Sequence, residues 1–199
     1  MDGSEQELDR LLDADHSALA ACLATDLERQ GWMIRAEVSF NHYGDRGRID
    51  LLACQPVRRV LLVIEIKTRL VDAQALLGSL DVKTRLAPEI AREAGWLADH
   101  AVPAIILLDS TTTRRHLADL DALFRRFSVR GHAARRWISA PAERVGGLLL
   151  LLKLPPGNGI DRRRAGRRRV RISRSPTAHS SHVTATPLQN GNPAAADRA

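Results

Sequence analysis

Two ionisable residues interrupt the most apolar stretch of the chain. Residues 60–68 read VLLVIEIKT, with Glu65 and Lys67 inside the run. Such a run fits a strand covered on both faces. A lone carboxylate there is costly unless it is paired or bound to a metal. Residues two apart on a strand share a face, so Glu65 and Lys67 project side by side. Just upstream, residues 48–54 (RIDLLAC) read as another strand, and Gln55-Pro56-Val57-Arg58 as the turn between the two. A turn centred between Val57 and Arg58 pairs residues whose numbers sum to 115, which sets Asp50 opposite Glu65. Side chains opposed on a ladder have Cβ atoms about 4.5–5.5 Å apart. Two bare carboxylates at that separation repel, and a hard divalent cation removes the penalty. A lysine beside the ion can orient a water or offset charge on a phosphate. Asp50, Glu65 and Lys67 therefore outline a metal-dependent phosphodiesterase site. Asp50 and Glu65 would ligate Mg²⁺, with Mn²⁺ as a substitute, and the Ile66 carbonyl could join them. The competing reading is a solvated face, since Glu and Lys at i and i+2 occur on many half-exposed strands.

A phosphodiester substrate needs cations near the metal. Arg46 and Arg48 flank the loop that leads to Asp50, and phosphate contacts of this kind position a nucleic acid without reading its sequence. Lys83 and Arg85 on the following helix are further candidates, set against a plain helix face with Asp81 as neighbour.

The elements that must position these groups follow from hydrophobic period. Asp15 or Ser17 caps a helix through about Gln30, with Leu19, Leu23 and Leu27 on one face and Gly31 as the stop. Residues 32–40 form a first strand, with Ile34, Ala36, Val38 and Phe40 on one side. Residues 41–47 form a turn-rich loop, with a hairpin centre near Asp45 that brings Ser39 close to Asp50. After the second and third strands the period becomes helical from about Val71, through Leu76, Leu77, Leu80 and Leu86. Pro88 opens a short separate helix to about Ala98. Residues 101–108 are a fourth strand, 113–127 an amphipathic helix and 145–154 a last strand. The order α-β-β-β-α-β-α-β implies an α/β fold with a mixed sheet flanked by helices.

The residues GDRGRIDLLACQPVRRVLLVIEIKT resemble the PD-(D/E)XK, or restriction-endonuclease-like, nuclease superfamily. Its αβββαβ core carries an Asp on the second strand and Glu-x-Lys on the third, matching Asp50, Glu65 and Lys67. Ile49 stands where the motif's name has Pro. The likeness spans roughly residues 17–108. From EVSFNHYGDRG through VKTRLAPEIA the chain is similar to a narrower group of uncharacterised bacterial proteins, some fused to helix-turn-helix regulators. The resemblance implies Mg²⁺-dependent hydrolysis of nucleic acid, taken as DNA, without fixing a substrate form. Superfamily members often add an acidic residue before the Asp; Glu37 is the preferred match and Glu28 the alternative. Gln74 could match a Gln found on the following helix of some relatives. A homodimer would suit two-strand cleavage. The alternative function is a catalytically quiet module of the same fold that binds DNA or a regulatory partner.

Charge divides the chain into three segments. Residues 155–199 hold nine arginines and two aspartates, which accounts for the whole net charge of +7; residues 1–154 carry 21 basic and 21 acidic side chains. The tail has few large apolar residues and cannot offset a backbone ordering cost of about 1–2 kcal/mol per residue, so a disordered basic tail is expected. Such an arm can hold polyanions by counterion release. Residues 1–14 are an acidic N-terminal segment and residues 15–154 the nuclease-like domain. No apolar run reaches the length of a membrane span. The opening residues lack the apolar core of a secretory signal, and Cys22 and Cys54 form no paired motif, so a cytoplasmic protein with reduced thiols is expected. Zinc-ligand spacing, a phosphate-binding Gly-rich loop and a serine-hydrolase elbow are all missing.

Overall fold

A computed structural model describes residues 3–154. The expected tail, 155–199, lies outside the described residues. Six strands form one mixed sheet in the order β1-β2-β3-β4-β6-β5, with helices on both faces. Helix α1 spans Gly3–Arg29. It begins well before the expected cap at Asp15 or Ser17. After Gly3 no Pro or Gly interrupts the sequence, and acidic residues such as Glu7 and Asp9 suit the positive end of a helix. Leu19, Leu23 and Leu27 form its buried stripe, and Gly31, at φ +81°, ends it by donating to the Glu28 carbonyl.

Strands β1 (Met33–His42) and β2 (Asp45–Gln55) form a hairpin whose two-residue turn is Tyr43-Gly44. Both turn residues have positive φ, 52° and 86°, as a type I′ turn requires. This tight turn replaces the longer loop expected over 41–47. It also shifts the register: Ser39 pairs with Arg48, two residues before Asp50. Strand β3 (Val60–Lys67) pairs antiparallel with β2 from Leu51↔Ile64 to Gln55↔Val60, the register that sums to 115.

Helix α2 (Ala73–Glu93) carries the chain over to β4 (His100–Leu108), which runs parallel to β3. Asp72 caps α2 by accepting from the Ala75 N–H at 2.9 Å. Pro88 lies inside α2 and does not open a separate helix. Leu80 and Leu86 before it and Ile90 after it are all buried on the sheet. Each contributes about 1.5–3 kcal/mol, which together exceeds the cost of about 3 kcal/mol for a proline in a helix interior.

Helix α3 (Thr111–Asp119) stops short of the expected Phe127. The Arg130 guanidinium explains the early end. It donates to the carbonyls of Phe124 and Phe127, each at 2.8 Å, and to Asp121 at 2.6 Å, so the chain closes into turns that bury both phenylalanines. A two-residue strand β5 (Val129–Arg130) and a helix α4 (Gly131–Ser139) follow, neither expected from the sequence. Strand β6 (Leu148–Leu152) is shorter than the predicted 145–154 and pairs parallel with both β4 and β5.

The core has two halves. On one face α1 and α4 pack Leu19, Leu27, Trp137 and Ile138 against Leu51, Leu62, Ile64 and Ile66. On the other, α2 and the Phe124–Phe127 turn cover Leu52, Leu61, Val63 and Ile105. The indole of Trp32 ties the first half together by donating to the Ile138 carbonyl at 3.0 Å. No helix among the described residues is long and apolar enough to cross a membrane.

Candidate active site

The site forms where β2 and β3 part. Their ladder ends at Leu51↔Ile64; beyond it β2 continues against β1, and β3 against β4 through Lys67↔Leu107. Asp50 and Glu65 are the first residues past the last pair. The Ile66 N–H donates to Asp50 Oδ2 at 2.7 Å, so this carboxylate occupies the mouth of the gap. In an antiparallel ladder a hydrogen-bonded residue uses its N–H and C=O toward the same neighbour. The Ile66 carbonyl therefore lies along the same edge.

Asp50 is also the point where the hairpin turns over. On β1, Ile34 packs with the α1 half of the core, whereas Val38 and Phe40 pack with the α2 half. On β2, Leu51 and Ile49 divide in the same way. Residues two or four apart would share a face in a regular strand, so the expected common face for Ile34, Val38 and Phe40 is corrected. The break lies at Glu37, whose φ is +51°. The pairs Ala36↔Leu51 and Val38↔Ile49 leave Glu37 and Asp50 across from each other at an interruption of the ladder.

Glu65 is buried, 4% exposed, and both of its oxygens are engaged. Lys67 Nζ lies 2.7 Å from Oε1 and Lys83 Nζ 2.5 Å from Oε2. Lys67, with 39% of its side chain exposed, opens onto a cleft of about 350 Å³ between the end of β3 and the first turns of α2. Glu65, Arg69, Leu70, Asp72 and Leu76 also line it. Lys83 is buried on α2. On the α1 side, His16 Nε2 lies 3.9 Å from Asp50 Oδ2.

These surroundings set the charge of Asp50. Burial pushes its carboxyl above the usual carboxylate range, and the Glu65 carboxylate pushes further in the same direction. The Ile66 N–H, Lys67 and His16 oppose both effects. A carboxylate destabilised by burial and by a second carboxylate is chemically suited to a cation. Among the described residues no three His, Cys, Asp or Glu side chains converge. The donors available are two carboxylates and a strand carbonyl, a set that fits Mg²⁺, which commonly takes one or two carboxylates with water and phosphate oxygens.

The remaining sequence candidates lie around this centre. The Glu37 side chain is exposed and ion-paired with Arg48 at 3.5 Å. Arg46 is exposed on the hairpin. Arg85 pairs with Asp45 at 2.7 Å, bracing α2 against the hairpin turn. Gln74 is exposed. Glu28 lies twelve residues beyond His16 on α1, about 18 Å along the helix axis at 1.5 Å per residue.

Two neighbours of the site were not singled out from the sequence for the roles they occupy. Lys83 sits within the stripe Leu76, Leu80, Leu86, Ala87 and Ile90, and a lysine at helical spacing inside an apolar stripe is a legible sign of a buried partner. His16 lies three residues before Leu19, on the stripe that continues through Leu23 and Leu27.

No family model matches the chain, and no curated protein matches it. Among solved structures the chain is similar to one described as a protein of unknown function, AF1548, at 15% identity and a TM-score of 0.31. The match covers 52% of this chain and 53% of the other, so it spans about half the length of each.

Proposed function

We propose that the chain is a Mg²⁺-dependent nuclease of the PD-(D/E)XK class that hydrolyses DNA phosphodiester bonds. The observation that carries the proposal is that Asp50 and Glu65 stand just past the end of the β2–β3 ladder, near enough for the Glu65 charge to act on Asp50, with the Lys67 ammonium on Glu65. Asp50 and Glu65 would hold the ion, with the Ile66 carbonyl beside them. Bound Mg²⁺ would supply Lewis-acid stabilisation of a phosphoryl oxygen and activate a water. Lys67 faces the cleft, where it can orient the attacking water and offset charge growing on the phosphate. Hydrolysis forms a bond from the water oxygen to phosphorus and breaks the bond to the leaving oxygen, which takes a proton. Arg46, Arg48 and Arg69 are placed on exposed positions of neighbouring loops and strands, where they would contact flanking phosphates. Glu37, across the ladder interruption from Asp50, would assist once released from Arg48. A homodimer and an electrostatic role for residues 155–199 belong to the same proposal.

One observation favours a second reading, a quiet DNA-binding or regulatory module. Both oxygens of Glu65 already rest on ammonium groups, which satisfies the cluster without a metal. Cleavage assays on duplex, branched and single-stranded DNA with Mg²⁺ or Mn²⁺ separate the two. The nuclease predicts cleavage by the native chain and loss of it in Asp50→Ala and Glu65→Ala. Equal cleavage by all three, or none by the native chain, would overturn it.

A further inference from the structure

We propose that Lys83 is a built-in counter-cation that keeps metal affinity low until a phosphodiester is present, so that metal and nucleic acid bind cooperatively. The proposal rests on the nuclease reading above and assigns a positioning residue to the same site. The Lys83 side chain is 8% exposed and its ammonium lies on Glu65 Oε2. A buried ammonium without an anion is costly, so Lys83 is bound to that oxygen. Lys67 differs: it is partly exposed and borders the cleft, so it can leave Oε1 when a cation arrives. Glu65 would then present Oε1 to the ion while Lys83 keeps Oε2.

The charges follow directly. Asp50 and Glu65 bring two negative charges, and Lys67 and Lys83 two positive ones. When all four are ionised the cluster is neutral before any metal enters, so a divalent cation meets little net attraction. A substrate phosphate adds the missing negative charge. If the phosphate strengthens metal binding, the metal strengthens phosphate binding by the same factor.

The test is Mn²⁺ binding by titration calorimetry to the full chain, with and without a phosphorothioate DNA duplex that resists cleavage. Lys83→Met removes the charge. Lys83→Gln also removes it but keeps a donor for Glu65, which protects the measurement if the methionine variant fails to fold. Native protein should bind Mn²⁺ weakly alone and about tenfold or more tightly with DNA. Either variant should bind Mn²⁺ alone about tenfold or more tightly than the native chain, with a smaller gain from DNA. A purely structural role would lower the melting temperature and leave Mn²⁺ affinity unchanged. Equal Mn²⁺ affinity in the native chain and the folded variants would overturn the counter-cation role and leave the nuclease reading standing. Absence of Mn²⁺ binding by every protein, with or without DNA, would overturn both.

Discussion

Asp50 is the residue at which burial, charge and backbone geometry meet. Its carboxyl is held above the usual range, first by burial and then by Glu65. An acid whose folded pKa lies above its unfolded value contributes stability below the unfolded pKa, and that contribution is lost as pH rises through the folded pKa. As pH rises the metal-free protein therefore loses stability at Asp50. Asp50→Asn keeps an acceptor for the Ile66 N–H and removes the charge. In EDTA at pH 7 it should raise stability by about 1 kcal/mol, the usual scale for relieving functional-site strain, and flatten the pH dependence of urea midpoints. With the cleavage-resistant duplex bound, adding Mg²⁺ should stabilise the native chain and leave the variant unchanged. Lys67 has a different task, because it is the ammonium that faces the cleft. Lys67→Ala should lower DNA cleavage by about 10²–10³-fold, the range for losing one preorganised charge-stabilising donor, with the circular dichroism spectrum unchanged.

At the scale of elements, register decides whether these residues meet. The β2–β3 register was legible because the turn after Gln55 is short and its centre fixes the pairing sum; the observed ladder has that sum and ends one pair before Asp50 and Glu65. The turnover at Glu37 was not legible, because a left-handed glutamate leaves no mark on an apolar period. The β1–β2 centre was misplaced because Tyr43 is an uncommon residue for a position that needs positive φ. Gly44 at φ +86° is the glycine that turn depends on. Gly44→Val should cost about 1–2 kcal/mol in urea unfolding, since a β-branched residue is strained there. The early end of α3 goes with Arg130 gathering the Phe124 and Phe127 carbonyls into a turn, a side-chain contact that apolar period does not encode. Phe127 sits fully buried in that turn, and Phe127→Ala should cost about 3–5 kcal/mol.

For the whole molecule, residues 1–154 are balanced in charge and the arginine-rich segment 155–199 carries the net charge. On the proposed function, chemistry would belong to the first and sequence-independent affinity to the second. Deleting residues 155–199 should weaken nonspecific DNA binding and reduce the slope of affinity against salt, since each neutralised phosphate contributes about 0.9 to that slope. Fluorescence anisotropy across a salt series measures it, and an unchanged slope would remove the segment from DNA binding. The ladder end that holds Asp50 and Glu65 belongs to the sheet between the two core halves, and on the proposed function these two carboxylates would take one divalent ion between them. Anomalous diffraction from crystals of the chain grown with Mn²⁺ and the cleavage-resistant phosphorothioate duplex tests that binding. A single strong peak within bonding distance of both Asp50 and Glu65 is predicted. A map with no peak there, with Glu65 still held by Lys67 and Lys83, would contradict it.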